Sequence, residues 1–586
     1  VADPPKARAR RGRDAAVLAA ALALLFALGT TSLRTKSAVY DEPVHVSAGY
    51  AAARFGEIRY NPDHPPLVGM LAAAPLLAMD VRFPGDDPAW GMGRPYEVGR
   101  RFLYRWNDGD RLLARSRTVI LGLAAALATL AFLWTRARWG FPAGALALVL
   151  AVTSPDVLAH GQLVTTDMGA ALFIFATVMA FERVTRRVTA ARVIVAGLAL
   201  GAAFATKFSA VILLPVLATL AAVVALRREP LEVAGRERAD AKGKALALLG
   251  VLAAMAAIAL VLLWGVYRFR FAASTDPRIE AGIPWDRLRP DEAPVAALVD
   301  GLRRWRALPE GYLWGFVRFF EHQEARPSFL LGERSDTGFA AYFPVSFALK
   351  TPLGLLGLLA IALVATARGE RRREDVFLWV PILFYTAVSL TRGINIGHRH
   401  LLPLYPFLFV LAGRAAAWAA REWPRRGPAV AVCVLAAWQV GAALWIHPHY
   451  LAYFNELAGG PARGYRLLVD SSLDWGQDLK GLRPFMEEHG IPRVKLSYFG
   501  TADPAYYGVE ADLLPSYLAL PRETVRAFGP GDVLAVSATN LAGVYLEAED
   551  RPMMDRLRRE TPAGHIGYSI LIFRPSFRWP EDPPAR

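Results

Sequence analysis

Long runs without charge decide what this chain of 586 residues can become. Ala15 to Leu33, Phe208 to Leu226 and Ala245 to Tyr267 contain no ionisable acid or base, and Gly427 to His447 is nearly as apolar. At ~1.5 Å of rise per helical residue, each run reaches across the apolar core of a bilayer. With 54% apolar residues gathered into such blocks, the chain reads as an integral membrane protein. Eleven crossings are predicted, near 15–33, 116–135, 141–156, 167–183, 191–206, 208–226, 245–267, 345–367, 376–391, 401–420 and 428–447. The 168–181 and 401–413 cores are short, which fits either helices extended by polar turns or helices that stop beside a recess.

The net charge of +15 does not point to nucleic acid. Arg and Lys cluster between the apolar blocks: Lys6 to Arg13, Arg136 and Arg138, Arg183 to Arg192, Arg227 to Lys244, Arg368 to Arg373, and Arg414 to Arg426. Eleven crossings place every cluster on one face, the pattern of cytoplasmic loops. The N-terminus is then cytoplasmic, the first run an uncleaved span, and the C-terminus outside. One cysteine, Cys433, excludes an intrachain disulfide and a cysteine zinc site.

The fold class is therefore mainly α: a polytopic membrane helix bundle over 1–447, with a small extracytoplasmic α/β domain over 448–586. Two further outer segments are long, 34–115 and 268–344. The first carries a surface-lying helix, Leu67 to Met79, started by Pro65-Pro66. In the C-terminal region Val494 to Tyr498, Val533 to Ser537 and Tyr568 to Phe573 read as strands, and Leu479 to His489 as a helix. No internal repeat supports an inverted-repeat transporter.

The same topology collects ionisable groups at the outer ends of the spans: Asp41, Glu42, His45, His64, His160, Asp167, Lys207, Lys350, Arg392, His398, Arg399 and His400. Such groups are costly near the apolar zone and mark function. Asp41 suits a general base. Lys207 and Lys350 interrupt apolar runs in a chain with eight lysines and 59 arginines, and an ammonium is a good partner for phosphate, although snorkelling would also account for both. Arg392 to His400 adds a basic loop with two glycines, a plausible anion cradle. Asp41 and His45 would share one helix face, with His64, His160 and Asp167 as further ligands, so a divalent metal is conceivable; no dedicated ligand pattern supports it, and no cofactor is required.

In order along the chain, these motifs resemble the C-type membrane glycosyltransferases. Specifically, they resemble the protein O-mannosyltransferase and aminoarabinose-transferase-like superfamily (glycosyltransferase family 39). Asp41-Glu42 matches its outer-loop acids, His64 to Leu67 its His-Pro-Pro-Leu segment, and Asp167 its second acid. Lys207 matches its phosphate-contacting lysine, and Gly397 to Pro403 its basic segment. Tyr342 to Val345 with Lys350-Thr-Pro, Tyr453 to Pro461 and Asp470 to Asp478 are similar to a bacterial subgroup. The resemblance implies an inverting transfer of a sugar from a polyprenyl-phosphate donor to an acceptor glycan, lipid or protein, on the outer face of a bacterial cytoplasmic membrane. Catalysis falls to Asp41, Glu42 and Asp167, and the donor phosphate to Lys207, Lys350, Arg392, His398, Arg399 and His400. His45, His64 and His160 would orient the acceptor. Asp470 to Asp478 could bind acceptor sugar or dock the outer domain. The alternative from charge placement alone is a transporter or flippase for a lipid-linked sugar.

Overall fold

Apolar runs fold as helices because only intrachain hydrogen bonds satisfy a backbone that lacks water. The computed structural model describes residues 5–275, 285, 293–321, 326–368, 372–391, 395–422, 426–517 and 524–580. Among these, eight helices are long and apolar enough to cross a membrane: Arg10–Leu33, Gly109–Trp139, Asp167–Arg186, Phe208–Leu226, Ala241–Val266, Arg373–Thr391, His398–Arg421 and Arg426–Ile446. A bent pair, Tyr342–Lys350 and Leu353–Ala367, turned by 108° at Thr351-Pro352, makes a ninth when the two helices are counted as one span. Proline cannot donate the bond that would carry a helix through this point.

The two remaining predicted spans fall short of that length. Phe141–Val152 has 12 residues and Ala190–Phe204 has 15, about 18 and 22 Å of helix against a core of about 30 Å. Each stops at a polar break. Ser154 caps the short helix Pro155–His160 through the Val157 N–H, and Thr206-Lys207 separates Ala190–Phe204 from the next span.

His398–Arg421 is the most enclosed of the long helices and packs on Gly109–Trp139 and Asp167–Arg186. Trp134, Phe175 and Phe407 meet edge to face, with centroids 5.1 Å apart for both Phe175 pairs. The basic clusters gather at one end of the bundle. Arg136 pairs with Asp14, Arg138 with Glu182, Arg187 with Glu232, and Arg227 donates to the Arg373 carbonyl.

At the opposite end lies a five-stranded sheet in the order Ala511–Leu513, Val494–Ser497, Leu534–Ser537, Ile570–Phe573, Gly564–Ile566. The first three strands are parallel and the last two pair antiparallel. The three predicted strands form its centre, and the two edge strands, three residues each, are additions. Leu482–Glu488 is the predicted helix, preceded by a 3₁₀ turn.

The sheet region meets the helix bundle through the segment just before Asp41. The Ser37 and Tyr40 N–H groups donate to the carbonyls of Gln477 (2.9 Å) and Trp475 (2.8 Å). Thr501 Oγ1 donates to the Tyr40 carbonyl (2.7 Å), and Lys36 pairs with Asp478 at 2.5 Å. Asp470 to Asp478 thus splints the chain that presents Asp41.

Candidate active site

Asp41 is the N-cap residue of the helix Glu42–Phe55, and its carbonyl accepts the N–H groups of Val44 and His45. Its carboxyl group is left free of capping and stands a quarter exposed in a cleft of about 230 Å³. That helix is held close to Leu67–Ala73 by paired glycines, since a Cβ on Gly49 would lie 2.3 Å from the Gly69 carbonyl oxygen. The contact folds segment 34–115 back on itself and sets His64 beside His45, ring centroids 5.0 Å apart. Asn61 Nδ2 lies 3.1 Å from His45 Nδ1.

The far wall is cationic. Where Ala190–Phe204 stops early, Lys207 turns into the cleft and pairs with Asp167 at 2.5 Å. Asp167 begins its own helix, accepts from Thr165 Oγ1 (3.1 Å), and meets Arg399 at 3.3 Å. Arg399 also approaches Asp41 at 4.0 Å, donates through Nε to Ser471 Oγ (3.0 Å), and lies over the Trp475 ring at 4.1 Å. A Cβ on Gly397 would sit 2.0 Å from Ser471 Oγ, so glycine is needed for this loop to reach the Asp470–Asp478 segment. Trp475 is 2% exposed, which seals it from a sugar and makes it a rest for the Arg399 guanidinium.

His400, Asp63, Tyr96, Arg318, Phe319 and Arg326 also line the cleft. Arg318 and Asp63 pair at 2.8 Å. Burial, with the charges of His45 and Lys207, holds the His64 pKa down to about 3, and burial lowers that of His45 as well. Both imidazoles are neutral near pH 7, suited to hydrogen bonding rather than to holding an anion.

Lys207, Phe319 and His400 are shared with a second cavity of about 380 Å³. Its other walls are largely apolar: Val211, Ile212 and Pro215 from one membrane-spanning helix, Phe384, Tyr385 and Val388 from another, and Phe343. The polar cleft and the apolar groove therefore meet at Lys207, His400 and Phe319.

Four predicted site residues lie elsewhere. Glu42 is fully buried, bound by Arg117 (2.5 Å) and by the N–H groups of Val39 and Val164. Such a carboxylate is held as one side of a sealed ion pair, so the expected catalytic part does not fit its position. Lys350, 2% exposed, donates to the carbonyls of Leu451 (2.8 Å) and Ser472 (2.6 Å), and no room is left there for a phosphate. His398 is enclosed by Tyr405 (2.7 Å), Ser346 (3.2 Å) and Asp156 (3.6 Å). His160 is 1% exposed, behind Trp475. Arg392 falls outside the described residues. Among the described residues no three His, Cys, Asp or Glu side chains gather as a metal site.

The sequence reading missed Tyr96, Arg318, Phe319 and Arg326 as lining residues, because long outer segments carry no periodicity that tells which side chains return to the site. Arg117 did leave a signal, as an arginine at the entry to an apolar run.

No protein-family profile and no curated protein sequence matches the chain. Among solved structures it is similar to ArnT from Cupriavidus metallidurans in the apo state, with 13% identity, a TM-score of 0.47, and 96% of this chain and 98% of that one covered. ArnT bound to undecaprenyl phosphate gives 12%, 0.46, 96% and 97%. The Archaeoglobus fulgidus oligosaccharyltransferase in complex with Zn and sulfate gives 14%, 0.41, 80% and 55%. At these TM-scores the likenesses decide neither fold nor chemistry, which rest on the residues above.

Proposed function

We propose that this protein is an inverting glycosyltransferase. It moves a sugar, a hexose or a pentose, from a polyprenyl-phosphate donor to an acceptor hydroxyl or amine on the outer face of a bacterial cytoplasmic membrane. The observation that carries the reading is the junction at Lys207 and His400 between a polar cleft containing Asp41 and an apolar groove between spanning helices. A ligand that fits both spaces has a charged head and a long apolar tail. A soluble nucleotide-sugar would have no use for the groove.

The chemistry follows from the two walls. The acceptor hydroxyl loses its proton to Asp41 as its oxygen attacks the anomeric carbon. The bond from that carbon to the donor phosphate oxygen breaks on the opposite side, so configuration inverts. The negative charge that grows on the departing phosphate is met by Lys207 and Arg399, already fixed by Asp167 and so needing no reorganisation. Asp167 is a positioning group in this scheme, since both of its oxygens are engaged. His45, His64 and His400 line the space between them.

The test uses purified protein in lipid nanodiscs with synthetic polyprenyl-phosphate sugars and extracted envelope glycans, lipids and proteins as acceptors. Asp41→Asn should keep its melting temperature and lose transfer by ~10²–10⁴-fold, the scale of a lost general base. Near-normal turnover in that variant removes Asp41 from the role. Movement of labelled donor across a sealed bilayer with no change in product mass would establish a flippase instead.

A further inference from the structure

The helix Ala293–Arg304 in the second outer segment carries an apolar stripe whose two ends, Leu298 and Trp305, the other described residues leave open, with Leu302 half-buried between them. Leu298, Leu302 and Trp305 recur at i, i+4 and i+7, one face of a helix. Leu298 is 57% exposed and Trp305 82%, whereas Val299, on the other side, is buried. Arg303, Arg304 and Arg306 flank the stripe and are exposed, against one acid, Asp300.

The position of this helix is fixed against a membrane span. Trp264, at the end of Ala241–Val266, donates its indole N–H to the Ala307 carbonyl at 3.2 Å. The Arg306 guanidinium lies over the Phe271 ring at 5.1 Å, and the Glu310 N–H donates to the Phe271 carbonyl at 2.8 Å. That end of the span is on the Asp41 side, because Arg270 donates to the Gly56 carbonyl (2.6 Å) and Ser274 to Glu57 (2.9 Å). Phe269, three residues past the span, is also 69% exposed.

We infer that Ala293–Arg304 with Trp305 lies in the outer headgroup boundary of the bilayer. Its Leu298–Leu302–Trp305 stripe enters the acyl region, and its arginines meet lipid phosphates. An open apolar stripe, a basic flank and a tryptophan at the level where a spanning helix ends are the features that seat a helix in an interface rather than across it. A protein partner would need a closed apolar surface here, while the bilayer is already present at this height. The seat has a consequence, since the next helix, Glu310–Glu321, supplies Arg318 and Phe319 to the cleft, and Phe319 to the groove as well.

The inference does not depend on the glycosyltransferase reading, and its test reads no activity. In the full chain with Cys433→Ser, an environment-sensitive fluorophore is placed at Leu298→Cys and, separately, at Trp305→Cys, in phosphatidylcholine nanodiscs with doxyl-labelled lipid. Val261→Cys, 62% exposed within the span, is the membrane reference. Glu549→Cys in the outer domain, 66% exposed, is the water reference. Blue-shifted emission at both sites, quenched by doxyl lipid at least half as much as at Val261, is expected. Emission matching Glu549 and quenched by aqueous iodide overturns the inference. Protection from both quenchers overturns it too, because a protein surface would then cover the stripe.

Discussion

The same two helices carry buried charge at both ends, and the ends differ in use. Asp167–Arg186 begins with Asp167 and has Glu182 near its close, while His398–Arg421 has Arg399 near its start and Arg414 further on. At the basic end Glu182 is bound by Arg138 (2.9 Å), Arg186 (2.8 Å) and the Trp134 indole, and Arg414 by Asp375 and Thr366. The Arg138–Glu182 and Arg414–Asp375 pairs are sealed, with Arg138 and Glu182 each 2% exposed, while Arg186 reaches Glu182 from the surface. At the Asp41 end Asp167 is as deeply buried, but its partners Lys207 and Arg399 face a cleft. Ionisable groups in a membrane bundle therefore do not by themselves mark function; an open space beside them does. Sealed pairs act as clamps, for which removing one partner is costly because the other stays charged and buried.

That contrast can be broken by substitutions of one kind at each end. Arg414→Met leaves Asp375 uncompensated at the sealed end and should lower stability by about 3–5 kcal/mol, while the protein that folds keeps its specific activity. Thermal unfolding and turnover measured on the same preparation separate the two quantities. A fall in turnover with unchanged melting would make the sealed cluster part of the chemistry. Lys207→Met should do the reverse: transfer drops by ~10²–10³-fold in kcat, as when one donor to a developing negative charge is lost, with a small change in melting. A melting loss as large as that of Arg414→Met, with kcat preserved, would reduce Lys207 to a clamp like the others.

The sequence separated these ends only in part. Apolar runs located all eleven helical stretches, because burial in lipid leaves a composition that needs no tertiary knowledge to read. They overstated two lengths, since a helix that stops early beside a cavity has the same apolar residues as one that continues. Lys207 and Lys350 look alike as sequence, each a lysine closing an apolar run. Only tertiary contacts send one into a cleft and the other against two carbonyls. Asp41 and Glu42 are adjacent, yet a helix turns neighbours about 100° apart, so one faces the cleft and the other Arg117. The role of Asp470 to Asp478 was equally closed to inspection, because a splint and a sugar site both call for acids, amides and a tryptophan.

That splint supplies a buried acid of another kind, which sharpens the comparison. Asp474 is fully buried and held by N–H groups of Thr539 (2.8 Å) and Gly476 (3.4 Å) rather than by a cation. Burial pushes its pKa up to about 7, against hydrogen bonds from Thr539 and Gly476 that favour the charged form. The folded protein thus keeps a proton that the unfolded chain has released above its ordinary pKa of 3.8. Its contribution is most favourable at low pH and declines as pH rises toward 7, the reverse of a carboxylate paired with arginine. Between pH 6 and pH 8 the sheet region should lose about 1 kcal/mol through this group, and Asp474→Asn, unable to ionise, should remove that slope. Thermal unfolding of both proteins at the two pH values decides it: identical slopes would mean that Asp474 is charged throughout, stabilised by its N–H donors as completely as Glu182 is by its arginines.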